Sequence, residues 1–269
     1  MSKDEGQNLL AKVRRAAHTA SDYLAAALWD EHEVTFKGTY DLSLTADREA
    51  GERIAHVIRQ SFPNDFLLEE DGPDDPMTAE WVWIVDPLDG TVNYHHRLPW
   101  FCVSVACYHR TDASDHPLWR HGRPVASAVV APALNQEFWA LAGEGSWSGN
   151  RRLAVTEEKL DRGVLSFSRG SRIEDQEFMK SLMNRIGPAA RKTRSHGAAA
   201  LDLEFVAQGS LAGHLQLSIR PWDVAAGAQL VLEAGGLIAV DPGMDGSHHV
   251  LASGPGVWTE LKREWTCGL

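Results

Sequence analysis

Trp81-Val82-Trp83-Ile84-Val85-Asp86-Pro87-Leu88-Asp89-Gly90-Thr91-Val92-Asn93-Tyr94 is the stretch around which the chain is organised. Trp81 to Val85 is almost wholly apolar and rich in β-branched residues, the pattern of a buried strand that stops at Pro87 and Gly90. Two acids, Asp86 and Asp89, follow it closely. Gly90-Thr91 lets the backbone turn and expose free N–H groups. Asp-Gly alone is ordinary turn chemistry. Carboxylates crowded at the end of a buried strand repel each other and are costly to desolvate, so a cation is their natural partner.

At 269 residues, with 43% hydrophobic and 23% charged residues, the chain fits the ordinary globular class and is long enough for one large domain or two smaller ones. The alternation of elements changes near residue 150. This suggests an N-terminal α+β half over residues 1–150 and a C-terminal α/β half over residues 151–269. No apolar run approaches the roughly 20 residues of a membrane span, and the N-terminus lacks the apolar core of a secretory signal, so a cytoplasmic protein is expected. Cys102, Cys107 and Cys267 form no even disulfide framework and read as reduced structural residues. A formal charge of −11 argues against nucleic acid or anionic membrane as the main partner.

Leu9, Val13, Ala17, Ala20, Leu24 and Leu28 mark an amphipathic helix in the first thirty residues, and Ala50, Ile54, Val57, Ile58 and Ser61 mark a second. Asp47 falls in the first turn of the latter, where the helix dipole alone favours an acid. Phe66-Leu67-Leu68 reads as a strand running into Glu69-Glu70-Asp71-Gly72, so neighbouring strands would bring two acidic ends together. Phe101 to Tyr108 reads as a strand. Val125 to Ala131 and Gln136 to Leu141 read as a hairpin through Pro132 to Asn135. The glycines at 143, 145 and 149 miss the dinucleotide spacing and read as turns. Beyond them, strands at 164–167, 214–219, 237–240 and 249–252 alternate with helices at 174–186, 197–208, 222–234 and 255–264, which argues for a second α/β layer.

Glu69, Asp86, Asp89 and Asp223 form an oxygen-only donor set, which selects Mg²⁺ or Mn²⁺ over zinc. His95-His96 and His248-His249 lack zinc-site spacing. There is no nucleoside-triphosphate loop and no serine nucleophile elbow. Four carboxylates balance two divalent ions, an arrangement suited to the slow hydrolysis of phosphate monoesters.

Four stretches, in order, resemble the inositol monophosphatase family. They are Lys37-Gly38-x-x-Asp41-Leu42-x-Leu44-Thr45-x-Asp47, Glu69-Glu70, Asp86 to Asn93, and Trp222 to Gly227 followed by Glu233-Ala-Gly-Gly236. The resemblance implies an α/β (α+β) fold, a five-layer α-β-α-β-α sandwich in a homodimer, and Mg²⁺-dependent, Li⁺-sensitive hydrolysis of a small phosphate monoester. Carried over by position, Glu69, Asp86 and the Leu88 carbonyl would hold one metal, and Asp86, Asp89 and Asp223 a second. A third, weaker ion would sit near Glu69. Thr91 with Asp47 would orient and deprotonate water. Gly90 and Thr91 N–H groups would receive the phosphate, and Ala199, Gln216, Asp89 and Asp223 would lie against the substrate. Two departures stand out: Leu68 where a Gly usually precedes the two Glu, and Gln216 where inositol-type members usually place a carboxylate.

The expected substrate is therefore inositol monophosphate or a related polyol or sugar phosphate. Histidinol phosphate, fructose 1,6-bisphosphate and 3′-phosphonucleotides are the alternatives on the same scaffold. The alternative of another class is a non-catalytic interaction protein, because some bacterial relatives use the fold for assembly with transcription machinery.

Overall fold

The computed structural model describes residues 1–36, 42–70, 72–73, 78–110, 122–168, 170, 172–244 and 246–266. Lys37, Gly38 and Asp41 of the first motif, Asp71 and Cys267 lie outside the described residues.

The first helix, α1 (Lys3–Ala27), starts at a Ser2/Glu5 capping box and buries the stripe Leu9, Val13, Ala17, Ala20 and Leu24 that its periodicity marks. A short antiparallel pair, β1 (Val34–Phe36) and β2 (Leu42–Leu44), leads into α2 (Thr45–Ser61). Ser61 is exposed, so the buried stripe of α2 ends at Ile58.

Seven strands form the first sheet in chain order: β3 (Phe66–Glu69), β4 (Trp81–Asp89), β5 (Cys102–His109), β6 (Arg123–Ala131), β7 (Gln136–Leu141), β8 (Gly145–Ser148) and β9 (Arg151–Arg152). Only the β3–β4 pair is parallel, with Glu69 opposite Val85. Strand β4, second in the sheet, differs from its sequence reading in one respect. It does not stop at Val85 but continues through Pro87 to Asp89, with a register irregularity against β5 between Asp86 and Asp89. That irregularity is where a proline, lacking a ladder N–H, is tolerated inside a sheet. A short helix, α3 (Thr91–His95), starts from Gly90 at φ 88°.

The second sheet has the order β11-β10-β12-β14-β13, built from β10 (Val164–Ser168), β11 (Lys192–Arg194), β12 (Gly213–Ile219), β13 (Leu237–Pro242) and β14 (His248–Ser253). The helices are α4 (Ile173–Ile186), α5 (Ala199–Ala207), α6 (Pro221–Glu233) and α7 (Pro255–Thr266).

Alternation along the strands sets the layers. In β4, Trp83 and Val85 face α1 and α2, while Val82 and Ile84 face α5 and α6. In the second sheet, Leu215 and Leu217 of β12 face the cluster shared with α4 and α7, and Ile219 faces the middle layer. The result is a five-layer α-β-α-β-α sandwich with α5 and α6 between the sheets.

The middle layer is tied to the first sheet by polar contacts. Tyr108 Oη donates to Ala225 O (3.0 Å), Ser146 Oγ to Leu230 O (2.6 Å), and Gln229 Nε2 to Val125 O (3.1 Å). Glu233 accepts from Gly143 N and Gly145 N (2.8 and 3.0 Å), so the glycines that faintly resemble a dinucleotide loop form a turn clasped by α6. α5 and α6 meet at Gly227, where an added Cβ would stand 2.6 Å from Leu203 Cβ. Helix propensity favours a side chain over Gly by up to about 1 kcal/mol, but Leu203 Cβ cannot rotate away and overpacking costs about 1–3 kcal/mol. Val gains only a few tenths of a kcal/mol over Gly in a helix, so Gly227→Val is expected to lower unfolding free energy by about 0.5–2.5 kcal/mol. Urea unfolding of the two proteins checks this, and a variant of equal or greater stability would refute the close packing.

Candidate active site

Asp86 and Asp89 are carried on the last turn of pleat of β4, 5% and 8% exposed. Asp86 Oδ1 accepts from Leu88 N at 3.0 Å, which folds the carboxylate back over Pro87. Asp89 Oδ2 accepts from Ala200 N at 2.7 Å, in the first turn of α5, so β4 ends against the positive end of that helix. Asp223 lies in the first turn of α6, behind Pro221, and Asp223 Oδ2 accepts from Arg220 N at 3.0 Å. Asp223 also reaches Asp86, with which it shares a hydrogen bond.

Electrostatics at this point is unfavourable without a countercharge. Burial, followed by the neighbouring Asp223 and Asp89, pushes the Asp86 pKa well above the usual carboxylate range. Burial and Asp223 raise Asp89 to about 8, although the Ala200 and Ala199 N–H groups oppose the shift. Two or three carboxylates therefore share protons that a divalent cation would replace, and the donors are all hard oxygens. Among the described residues no group of three or more His, Cys, Asp or Glu side chains is drawn together closely enough to hold an ion as arranged, since Asp89 is turned to Ala200 and Asp223 to Arg220. The chemistry of the set fits a hard cation, and ligation would need Asp89 to turn from Ala200 towards the Asp86–Asp223 pair.

Asp47 and Thr91 stand beside this pair. Thr91 Oγ1 is 3.0 Å from both Asp47 Oδ1 and Leu88 O, and Asp47 Oδ2 accepts from Leu44 N at 2.7 Å. A side chain from α2 and one from α3 are thus joined across the end of β4. Burial raises the Asp47 pKa to about 6, against the lowering effect of the Leu44 and Thr91 hydrogen bonds. Asp47, Glu69, Glu70, Gly51 and Pro87 line one cleft of about 530 Å³. Gly51 was not singled out by the sequence pattern. An added Cβ there would stand 3.3 Å from both Glu69 Oε2 and Pro87 Cγ, so its lack of a side chain keeps the Glu69 carboxylate beside the end of β4.

Gly90, the N-cap of α3, has no room for a Cβ, which would lie 2.6 Å from Trp100 O and 3.2 Å from Ala198 Cβ. Asn93 Nδ2 donates to Trp100 O (2.6 Å) and His196 O (2.8 Å), which fixes residues 196–200 against the Gly90–Asn93 turn. Ala199 is therefore held next to Asp89 at the start of α5. Gln216 is half-buried on β12, opposite Ser168, with its Oε1 enclosed and unpartnered. Nothing in the periodicity of the sequence pointed to the clamp made by Asn93 or to the Ala200 N–H.

The acid pair makes stability a function of pH in chelated protein. A carboxyl whose folded pKa is raised from 3.8 to about 8 keeps a proton that the unfolded chain has lost, so stability falls as pH rises through that window. In EDTA the Tm should fall between about pH 5 and pH 8, Asp89→Asn should flatten that fall, and added Mg²⁺ should offset it in the wild type. Calorimetry at fixed ionic strength reads all three. A Tm in EDTA that depends on pH equally in wild type and Asp89→Asn would overturn the assignment.

The inositol monophosphatase family model matches residues 6–265. A Pasteurella multocida (strain Pm70) protein named Nus factor SuhB is 33% identical over 246 residues, 89% of this chain and 86% of its own length. The Escherichia coli (strain K12) protein of the same name is 32% identical over 247 residues, again 89% of this chain and 86% of its own length. The crystal structure of extragenic suppressor protein suhB from Bartonella henselae superposes with a TM-score of 0.86 at 26% identity, covering 97% of this chain and 100% of that one. A Thermotoga maritima IMPase gives 0.80 at 29% identity over 93% of each chain. With the fold, the order of the acid motifs and this coverage in agreement, the chain belongs to the inositol monophosphatase family.

Proposed function

We propose that the protein hydrolyses a small phosphate monoester, with inositol monophosphate or a related polyol or sugar phosphate as the substrate class, by direct attack of water. The observation that carries this reading is the Thr91–Asp47 hydrogen bond beside the buried Asp86 and Asp89 carboxylates. Glu69, Asp86, the Leu88 carbonyl, Asp89 and Asp223 would hold two Mg²⁺ ions, with a third, weaker one near Glu69. When bound, the ions supply positive charge to the phosphate and make water more acidic.

The residues divide the remaining work. Thr91 Oγ1 accepts a hydrogen bond from the attacking water and donates to Asp47 Oδ1, so the proton leaving the water ends on the Asp47 carboxylate. A carboxylate raised to about 6 is a stronger base than a solvated Asp and is still ionised at neutral pH. Gly90 N–H and Thr91 N–H, at the start of α3, face the phosphate oxygens. Asn93 holds the Ala199 segment against this turn, where the alcohol portion of the substrate would lie.

Phosphate release from a panel of sugar and polyol phosphates, with Mg²⁺ and with EDTA, tests the reading. Thr91→Ala should lower kcat by about 10²- to 10⁴-fold with KM within a few-fold of wild type, since the lost contact acts on the water in the transition state. A loss confined to KM would move Thr91 to substrate binding. The acid limb of the kcat/KM profile should bend near about pH 6, rising as Asp47 deprotonates, and Asp47→Asn should abolish that limb along with most activity. A limb unchanged in the variant would remove Asp47 from the proton path.

A second reading is favoured by the name Nus factor carried by the SuhB relatives: a non-catalytic role in assembly with transcription machinery. Asp86→Asn separates the two, because a binding role survives in a folded variant that releases no phosphate.

A further inference from the structure

His196 lies immediately before Gly197, in the segment clamped to the Gly90–Asn93 turn, and its surroundings are unlike those of a surface histidine. Its Nδ1 is 2.5 Å from Asp202 Oδ1, and Asp202 is 0% exposed. The other Asp202 oxygen is 3.5 Å from Nδ1 of His214, which is also fully buried and is 2.7 Å from Ser166 Oγ. The imidazole of His196 packs against both Trp100 and Phe205, with ring centroids 4.9 and 5.8 Å away, the two aromatics also touching each other at 6.3 Å. Its side chain is 13% exposed. Nε2 has no protein partner among the described residues and is not one of the enclosed polar atoms, so it opens to solvent.

A buried carboxylate that accepts the Nδ1–H of a histidine fixes the ring's tautomer and orientation. With both nitrogens protonated, the ring donates from Nδ1 to Asp202 and from Nε2 to an anionic oxygen brought there. Asp202 is fully buried, so His196 is the neighbour through which it meets the solvent side. Desolvation drives its other neighbour, His214, towards the neutral form.

The proposed site is otherwise acidic: Asp47, Glu69 and Glu70 line one cleft, and Asp86, Asp89 and Asp223 crowd the end of β4. A second anionic group on the substrate would be repelled there unless it lay towards His196. Gln216 follows His214 by two residues on the same face of β12 and adds no charge to this side.

We propose that His196, oriented by Asp202, is a specificity-determining residue that presents Nε2 to the non-reacting part of the substrate and selects phosphate esters bearing a second anionic oxygen group. The inference rests on the phosphatase reading above and narrows it. Asp202 is the positioning residue, and its buried carboxylate touches only protein.

Matched substrate pairs test it: 3-phosphoglycerate against glycerol 3-phosphate for a carboxylate, and propane-1,3-diol bisphosphate against its monophosphate for a second phosphate. Charge-assisted hydrogen bonds support a preference of about ten- to a hundredfold in kcat/KM for the dianionic-site member of at least one pair. His196→Ala should reduce that ratio by about tenfold, mainly through KM. His196→Gln, which keeps a neutral donor of similar reach and the packing on Trp100, should fall between them. Circular dichroism and Tm establish that each variant folds. Ratios near one in the wild type, or ratios unchanged in both variants while phosphate is released, overturn this inference and leave the phosphatase reading intact. Failure of the wild type to release phosphate from any of the four, or from inositol 1-phosphate, defeats the phosphatase reading and the inference with it.

Discussion

Burying like charges at the end of β4 is the constraint on which the rest of the structure depends. Asp86 and Asp89 leave water almost completely, and Asp223 is brought to them from α6 in the middle layer. An isolated chain would not hold that arrangement, because each acid raises the free energy of the others. It persists because the carboxylates are attached to the most rigid parts of the molecule. One strand is buried on both faces, and one helix is sealed between two sheets.

The middle layer solves two problems at once. α6 carries Asp223 and is fastened to the first sheet through Tyr108, Ser146, Gln229 and the Glu233 clasp. α5 supplies the Ala200 N–H to Asp89 and the Asp202 carboxylate to His196. The tight helix contact at Gly227 sets how far apart these two N-termini stand. Core packing and site geometry are therefore not separable here: a shift of either helix moves a carboxylate.

Much of this was legible in the sequence, for identifiable reasons. Stripes at spacings of three and four gave α1 and α2, and β-branched runs gave β4, β5, β6 and β7, because period and burial are local properties. The order of the motifs marks Asp47, Thr91, Asp86 and Asp89 as one candidate set, and the structure brings Thr91 to Asp47 and Asp86 to Asp89. The extension of β4 through Pro87 was not legible, since proline reads as a strand breaker unless the register irregularity beside it is known. β1, β2, β8, β9 and β11 were missed because strands of two to four residues carry too little alternation to register. Gly51, the Asn93 clamp and the pairing of His196 with Asp202 depend on contacts between distant elements, and no periodicity encodes them.

Asp202 and Glu204 show how α5 treats its two faces differently. Asp202 meets His196, in the segment before the helix, and lies 3.5 Å from His214 of β12. Glu204, two residues on, is fully buried with both carboxylate oxygens unpartnered, and burial drives its pKa well above the usual range. A protonated Glu204 therefore lies behind Cys102 and Asp89 as a neutral filler, whereas Asp202 keeps a hydrogen-bonded partner in His196. The same helix thus backs Asp89 on one side with a neutral group and His196 on the other with a carboxylate partner. A neutral Glu204 adds no negative charge to the crowded end of β4, where Asp86, Asp89 and Asp223 already raise one another's pKa.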